Sequence, residues 1–232
     1  MQNSALHQIY CRKFSQGTWH EIQDVVPPEV QIHIRWPDST HSLWAFPHEL
    51  HDLALGHAAL ELCAPREEPV YINHQETTFT LRPSLWEGSP VCTPRYTLSA
   101  ETILNIMHSF LERSGLWEQT GCFHRMAAYA PQPAEFCCFV EDIGRHNCVD
   151  RLAGWALKNA QHLQTTVLLC SSRVTGSLMS KISRAGFPMV ISRSATTQAA
   201  ILQAQAKGIT LVGFTRENRC TVFCDPDNRV VK

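Results

Sequence analysis

Charge is scarce in this chain and evenly split. Charged residues fill 18% of its 232 positions, with 20 Lys and Arg against 21 Asp and Glu. Such a balance gives no long-range attraction to nucleic acid or to an anionic membrane, so any anion binding has to be local. Long apolar runs are also missing, and none approaches the ~20 residues that a membrane span requires. The opening residues MQNSALHQIYCRKF lack the apolar stretch of a secretory signal, which predicts a cytoplasmic protein. No C-x-x-C occurs anywhere in the chain. The combination of H-x-E with P-C-x-x-C that a zinc deaminase needs is absent. The histidines at 48, 51 and 57 do not fit H-E-x-x-H, and no tightly bound zinc is expected. There is no internal repeat and no low-complexity tract.

What is present points to a folded core. Hydrophobic residues make up 44% of the chain, enough for one large domain or two small ones. The ten cysteines, at 11, 63, 92, 122, 137, 138, 148, 170, 220 and 224, have no secretory context that would make them a disulfide framework. Cys137, Cys138 and Cys170 lie in apolar strand-like runs and read as small core hydrophobes. Cys220 and Cys224, four apart on an alternating strand, are expected on one face. Cys148, near a helix start, is a position where a thiol pKa can fall.

The periodicity divides the chain near residue 95. Residues 1–95 carry alternating strand patterns at Val30 to Ile34 and Thr78 to Leu81, with a helix over Leu50 to Leu62. Leu85 to Arg95, with Gly88, Pro90 and Pro94, reads as a loop or linker. Over 96–232, Ile103, Ile106, Met107, Phe110 and Leu111 mark an amphipathic helix with Ser99 as cap and Gly115 as stop. From Phe136 strands and helices alternate. The strands are Phe136 to Val140, Thr165 to Cys170, Pro188 to Ser192 and Thr210 to Phe214; helices lie around Ser177 to Ala185 and Thr197 to Lys207. This predicts a three-layer α/β/α sandwich with a mostly parallel sheet and a smaller N-terminal α+β part.

One stretch stands out. Glu141-Asp142-Ile143-Gly144-Arg145-His146-Asn147-Cys148-Val149-Asp150 joins a strand to a helix. A glycine, a cation and an imidazole there meet the free N–H groups and positive dipole end of the helix, which together favour an anion. Asn147 is a candidate cap, with Asp150 answering it as in a capping box.

The wording EDIGRHNCVDRLAGWAL closely resembles the EDVGRHNAVDK signature of the formate dehydrogenase accessory sulfurtransferases, the FdhD family. Thr120-Gly121-Cys122-Phe123-His124 is similar to the family's TG-x-x-H element. SSRVTGSLMSKISRAGFPMVISRSATTQAA resembles its S-S-R, A-G and S-A-T-T segments, ITLVGFTRENRCTVF its TLVGF strand and basic loop, and PHELHDLALGHAALELC, more loosely, an N-terminal helix. The resemblance implies a cytidine deaminase-like architecture, homodimeric. It also implies a sulfur carrier that accepts persulfide sulfur from a cysteine desulfurase. The recipient is the molybdenum cofactor in its bis-molybdopterin guanine dinucleotide form, before entry into formate dehydrogenase or a related molybdoenzyme. No nucleic acid or membrane partner is implied.

By resemblance, the loop Phe214, Thr215, Arg216, Glu217, Asn218 and Arg219 is the cofactor-binding segment. It follows a strand whose C-terminal end is where such sheets bind ligands, and its two guanidiniums suit bidentate phosphate contacts. Asn218 stands where the family often has Gly, and Asn tolerates the left-handed backbone of a tight turn. Arg145, His146 and His124 are further cofactor-binding candidates, with Arg173 and Asp150 behind them; Ser194, Thr196 and Thr197 are read as caps at the same rim. The chain departs from the family at the C-G-x-C-G loop that carries the persulfide. Here the region reads Gly88-Ser89-Pro90-Val91-Cys92-Thr93-Pro94-Arg95, which leaves Cys92 as the catalytic thiol, with Cys122 next. One thiolate is enough to accept a sulfane sulfur. The alternatives are a cofactor-binding chaperone without sulfur transfer and a nucleotide-binding regulator on the same scaffold.

Overall fold

Alternating apolar positions build the core from three clusters in a computed structural model that describes residues 6–88 and 95–232. The chain opens with an antiparallel ribbon, β1 (His7–Ser15) and β2 (Thr18–Val26), which pair only with each other. Neither strand alternates cleanly in sequence, and neither is anticipated by pattern. A four-stranded sheet follows, ordered β4-β3-β6-β5, from β3 (Val30–Trp36), β4 (Ser39–Ala45), β5 (Glu67–Gln75) and β6 (Thr78–Leu85). Ile32, Ile34, Phe79 and Leu81 point from it onto Leu53, Ala54 and Ala58. The last three belong to α1 (Leu50–His57) and the single π turn Ala58–Leu62 that continues it.

The second sheet is ordered β13-β12-β11-β10-β8-β9. Its strands are β8 (His124–Ala130), β9 (Glu135–Asp142), β10 (Val167–Cys170), β11 (Met189–Ser192), β12 (Thr210–Arg216) and β13 (Arg219–Cys224). β10 and β11 are buried at every position, as strands covered on both faces must be. Val167, Leu169, Met189 and Ile191 face α2 (Ala100–Glu112). Leu168, Cys170 and Val190 face the layer of α4 (Arg145–Lys158), α5 (Gly176–Ala185) and α6 (Gln198–Lys207). A short α3 (Leu116–Thr120) precedes β8, and β7 (Leu98–Ser99) pairs with β14 (Val230–Val231). The three layers are those expected, and no helix among the described residues is long and apolar enough to cross a membrane.

Several expectations need correction. The sheet is not mostly parallel: only β10–β11 and β11–β12 are parallel, while β8–β9, β8–β10 and β12–β13 are antiparallel. For β8–β9 and β12–β13 the reason is connection length, since short turns can join only antiparallel strands, while β8 lies between β9 and β10 and runs against both. Ser99 does cap α2, its side chain accepting from Thr102 N, but the helix ends at Glu112 and Gly115 begins α3 instead of stopping α2. Cys220 and Cys224 lie on opposite faces, because a bulge in β13 sets Cys224 opposite Leu211 but Val222 opposite Val212.

α1 and α4 join the N-terminal part to the main sheet, and their backbones touch. A Cβ on Gly56 would lie 1.7 Å from the Asp150 carbonyl oxygen, and one on Gly154 would lie 1.9 Å from that of Asp52. Only glycine fits either position. The expected division near residue 95 adjoins residues 89–94, outside the described residues.

Candidate anion-binding site

The signature stretch faces two ways. Its inward half is structural. Asp142, fully buried, accepts from Gly144 N at 2.9 Å, Asn147 Nδ2 at 2.9 Å, and Arg151 Nε and Nη2 at 2.8 and 2.6 Å. Arg151 also donates to the carbonyls of Phe46, His48 and Glu49, and Asn147 to that of Trp44. The pair Asp142–Arg151 therefore fastens the approach to α1 onto the start of α4. Asp150 takes Lys181 Nζ at 2.8 Å on both oxygens and sits 3.3 Å from His57 Nδ1. Neither Asn147 nor Asp150 forms the expected capping box. Gly144 occupies the cap position, because Asp142 draws the backbone N–H of Gly144 and the Asn147 amide to itself. Cys148 is fully buried and burial raises its thiol pKa well above the ordinary value, the opposite of an activated thiol.

The outward half looks onto one edge of the main sheet. β9, β10, β11 and β12 all end there and β8 begins there. Side-chain and main-chain hydrogen bonds stitch the loops at this edge together. Arg125 N donates to Ser171 Oγ, Ser194 Oγ to Ser171 O, Ser192 Oγ to Ser172 O, and Phe214 N to Ser194 O. From this base rise Arg145, Arg173, Arg193, Arg216 and Arg219. Their guanidiniums have no hydrogen-bond or ion-pair partner among the described residues, and all but the half-buried Arg145 are exposed. Elsewhere Arg125 pairs with Glu118 and Glu141, Arg151 with Asp142, and Arg184 with Glu61. Like charges gathered at one edge without ion-pair partners repel one another, and an arriving anion relieves that repulsion.

His124 and Arg173 come together with Arg145. Burial, then the neighbouring Arg145 and Arg173, hold His124 below its ordinary pKa, with Asp142 opposing. His146 is also held low, by burial and then Arg145 and Lys181, but its Nε2 turns to Ser177 Oγ at 3.3 Å on α5. Arg216 and Arg219 face each other across the β12–β13 turn. Glu217, not Asn218, adopts the left-handed backbone there, with φ 56°, and Phe214 adopts it one bulge earlier, with φ 50°. Thr215 is fully buried, and its Oγ1 has no partner among the described residues. Of the three residues read as caps, only Thr197 caps α6 by accepting from Ala200 N. Ser194 and Thr196 bind the carbonyls of Ser171 and Val174 instead.

Cys92 lies outside the described residues. Its described flanks are at the other end of the sheet. Trp86 donates to Arg66 O and lines a cavity with Ala156, Leu163 and Ala185. Tyr96 lies under the Arg229 guanidinium, and Leu98 pairs with Val230. Cys122 is an exposed thiol two residues before His124. Among the described residues no group of three or more His, Cys, Asp and Glu side chains is placed to hold a metal. Sequence reading overlooked Arg193, although ISRS after β11 places its arginine at a strand end much as CSSR does after β10. It also overlooked Arg151, whose inward role has no sequence signal of its own.

The chain is similar to known proteins over much of its length. The Sulfur carrier protein FdhD of Thermoplasma acidophilum is 37% identical over 130 residues, 56% of this chain and 46% of its own. That of Halalkalibacterium halodurans is 32% identical over 133 residues, 57% and 48%. The matches to these two thus span about half the length of each relative. Protein FdhD of Methanocaldococcus jannaschii is 27% identical over 220 residues, 94% of this chain and 96% of its own. In fold, the chain matches the crystal structure of a formate dehydrogenase accessory protein from Desulfotalea psychrophila with a TM-score of 0.80. That match covers 97% of this chain and 99% of the other at 22% identity. The FdhD/NarQ family profile spans residues 73–230, from β5 through the signature stretch and the arginine edge to β14, and the chain belongs to this family.

Proposed function

We propose that this protein is a sulfur carrier serving a molybdoenzyme such as formate dehydrogenase. In this reading it takes sulfane sulfur from a cysteine desulfurase and passes it to the bis-molybdopterin guanine dinucleotide cofactor, working as a cytoplasmic homodimer. The observation that carries the reading is the edge where five guanidiniums gather with His124, none of the five having an ion-pair or hydrogen-bond partner among the described residues. A cargo with two nucleotide diphosphates supplies the missing charge, and guanidiniums meet phosphate oxygens in bidentate fashion. In the loading step a cysteine thiolate attacks the terminal sulfur of the donor's persulfide. The donor's S–S bond breaks, a new one forms on this protein, and the donor leaves as thiolate.

Two thiols are candidates. Cys92 holds the place of the family's loop, and Cys122 stands exposed beside His124 at the arginine edge. Persulfide mass mapping after incubation with a cysteine desulfurase and cysteine separates them, using Cys92→Ala and Cys122→Ala. A gain of one sulfur on one cysteine, lost in its alanine variant and transferable to the cofactor, establishes the carrier. The second reading is a cofactor-binding chaperone without sulfur transfer, and the described flanks of Cys92, at the end of the sheet away from the arginines, favour it. No transferable label on any cysteine, with guanine nucleotide binding intact, selects that reading.

A further inference from the structure

β9 is the last strand of the main sheet, and its outer side pairs with no other strand among the described residues. Arg125 N donates to Ser171 Oγ, and Arg125 O accepts from Ser171 N, so this residue of β8 turns its main-chain groups toward β10. Its neighbours His124 and Met126 therefore turn theirs toward β9, where they stand opposite Asp142 and Val140. By the same alternation the N–H and C=O groups of Phe139 and Glu141 point outward. Their sole partner among the described residues is the Cys138 thiol, 3.9 Å from Phe139 O.

A cavity of about 330 Å³ lies along this edge. Its floor is Phe139, Val140 and Glu141; Arg113, Ser114 and Leu116 form one wall, and Phe46, His48 and Glu49 the other. Phe139 faces the α2 layer and Val140 the α4 layer, so the walls stand on opposite faces of the sheet. Both are pinned. Arg125 Nη1 donates to Arg113 O at 2.6 Å and Leu116 N to Glu141 Oε2 at 2.9 Å, while Arg151 holds the carbonyls of Phe46, His48 and Glu49. The Arg113 guanidinium lies 4.0 Å over the Phe139 ring and has no hydrogen-bond or ion-pair partner among the described residues. Glu49, held in the left-handed region with φ 43°, has His48 beside it at 3.8 Å.

We propose that this groove binds an extended peptide segment of a partner protein by strand addition to β9, with an acidic side chain of the peptide on Arg113 and a basic one on Glu49. The outward main-chain groups of Phe139 and Glu141 supply the ladder bonds of such an added strand. Successive side chains of a strand point to opposite faces, so the two charges fall on neighbouring peptide residues, one to each wall. Because the walls are fixed beforehand, binding orders little of the protein. A second copy cannot offer its own β9, since that edge lies between the same two walls and they would collide. The mixed charge also separates the groove from the arginine edge: a phosphate suits Arg113 but meets Glu49 across from it. The inference therefore stands whether or not the nucleotide reading does.

The test selects random eight-residue peptides displayed on phage against the full chain, then titrates the synthesised winners by calorimetry. Neighbouring acidic and basic residues should be enriched. N-methylation of the peptide amides that face β9 should weaken binding about tenfold or more, as the loss of ladder hydrogen bonds does, and methylation of the intervening amides should not. Hydrogen exchange at the Phe139 and Glu141 amides should slow when a winning peptide is bound. Arg113→Glu, at an exposed position, should weaken the winners about tenfold or more, and a fresh selection on it should replace the acid by a base. A selection without enrichment would overturn the groove as a peptide site. So would winners whose affinity is indifferent both to Arg113→Glu and to N-methylation. Self-association of the chain that Arg113→Glu abolishes, with no peptide enriched, would give the groove to a second copy instead.

Discussion

The two ends of the main sheet treat charge in opposite ways. At the end where β12 begins, Asp225 accepts from Thr210 Oγ1, Arg229 N and Val230 N. Arg229 pairs with Asp227 and lies 4.8 Å over the Tyr96 ring, so the guanidinium of that group has internal partners. At the end where β12 finishes, five arginines have none. Closed networks hold a fold together, and open ones await a ligand. The signature stretch compresses the same contrast into ten residues, with Asp142, Asn147 and Asp150 bound inward and Arg145 outward. A sequence motif therefore mixes scaffold with site, and only internal pairing tells the two apart.

Breaking an inward residue should have the largest effect, and it should fall on stability. In Asp142→Ala the Arg151 guanidinium stays buried among backbone carbonyls with its carboxylate gone. Removing one partner of a buried pair costs about 3–5 kcal/mol, read as a lower urea midpoint with the denaturant slope unchanged. An unfolding midpoint within error of wild type would mean that Arg151 is not the fastening the geometry indicates.

Breaking outward residues should spare stability and cost binding. The double variant Arg216→Ala with Arg219→Ala is expected to lose about 3 kcal/mol in GDP binding, two charge-assisted contacts' worth, at an unchanged urea midpoint. A GDP titration indistinguishable from wild type would remove the β12–β13 turn from the site.

The legibility of the sequence follows the same division. Strands β10 to β12 and helices α2, α5 and α6 were readable because unbroken apolar runs, Ser99, Thr197 and Gly208 mark their cores and ends. β8 was missed because its HRMAAYA is poor in β-branched residues and takes its strand character from the neighbours it pairs with. The start of α4 was placed at Asn147 because that residue type favours a cap, and sequence cannot show that Asp142 competes for its amide. Arg145, Arg173 and Arg216 were visible as motif residues. That they share one edge with Arg193 depends on strand order, which no local pattern encodes. The thiol is different again: the family's two-cysteine loop is absent, so neither a motif nor the described structure singles out Cys92.

A smaller effect should appear with pH, and its sign is fixed. His124 and His146 have folded-state pKa values below the ordinary 6.5. As pH falls through about 6.5, the unfolded chain takes up protons before the folded one does. Their stabilisation is therefore complete above that pH, shrinks as pH drops toward the folded values, and levels off beneath them. A bound anion favours the protonated imidazole of His124, so GDP binding near pH 6 should take up protons. GDP affinity should then rise by less than about tenfold between pH 7.5 and 5.5. Calorimetry in two buffers of different ionisation enthalpy measures the uptake directly, and His124→Gln should reduce it. Zero uptake in wild type would place the anion away from His124.

The smallest effect sharpens the boundary between the two kinds of residue within a single loop. Thr197 caps α6 by accepting from Ala200 N at 3.3 Å, and it lies four residues beyond Arg193. If its role ends with the helix, Thr197→Ala should lower stability by about 1 kcal/mol, the ordinary loss of a helix cap, and leave the GDP titration untouched. Arg193→Ala should do the reverse, changing binding at constant stability. A Thr197→Ala protein that loses GDP affinity in proportion to its stability would show that the loop after β11 is held in place by the α6 cap. The serine bonds to β10 alone would then not account for its rigidity, and the position of Arg193 would depend on the helix behind it.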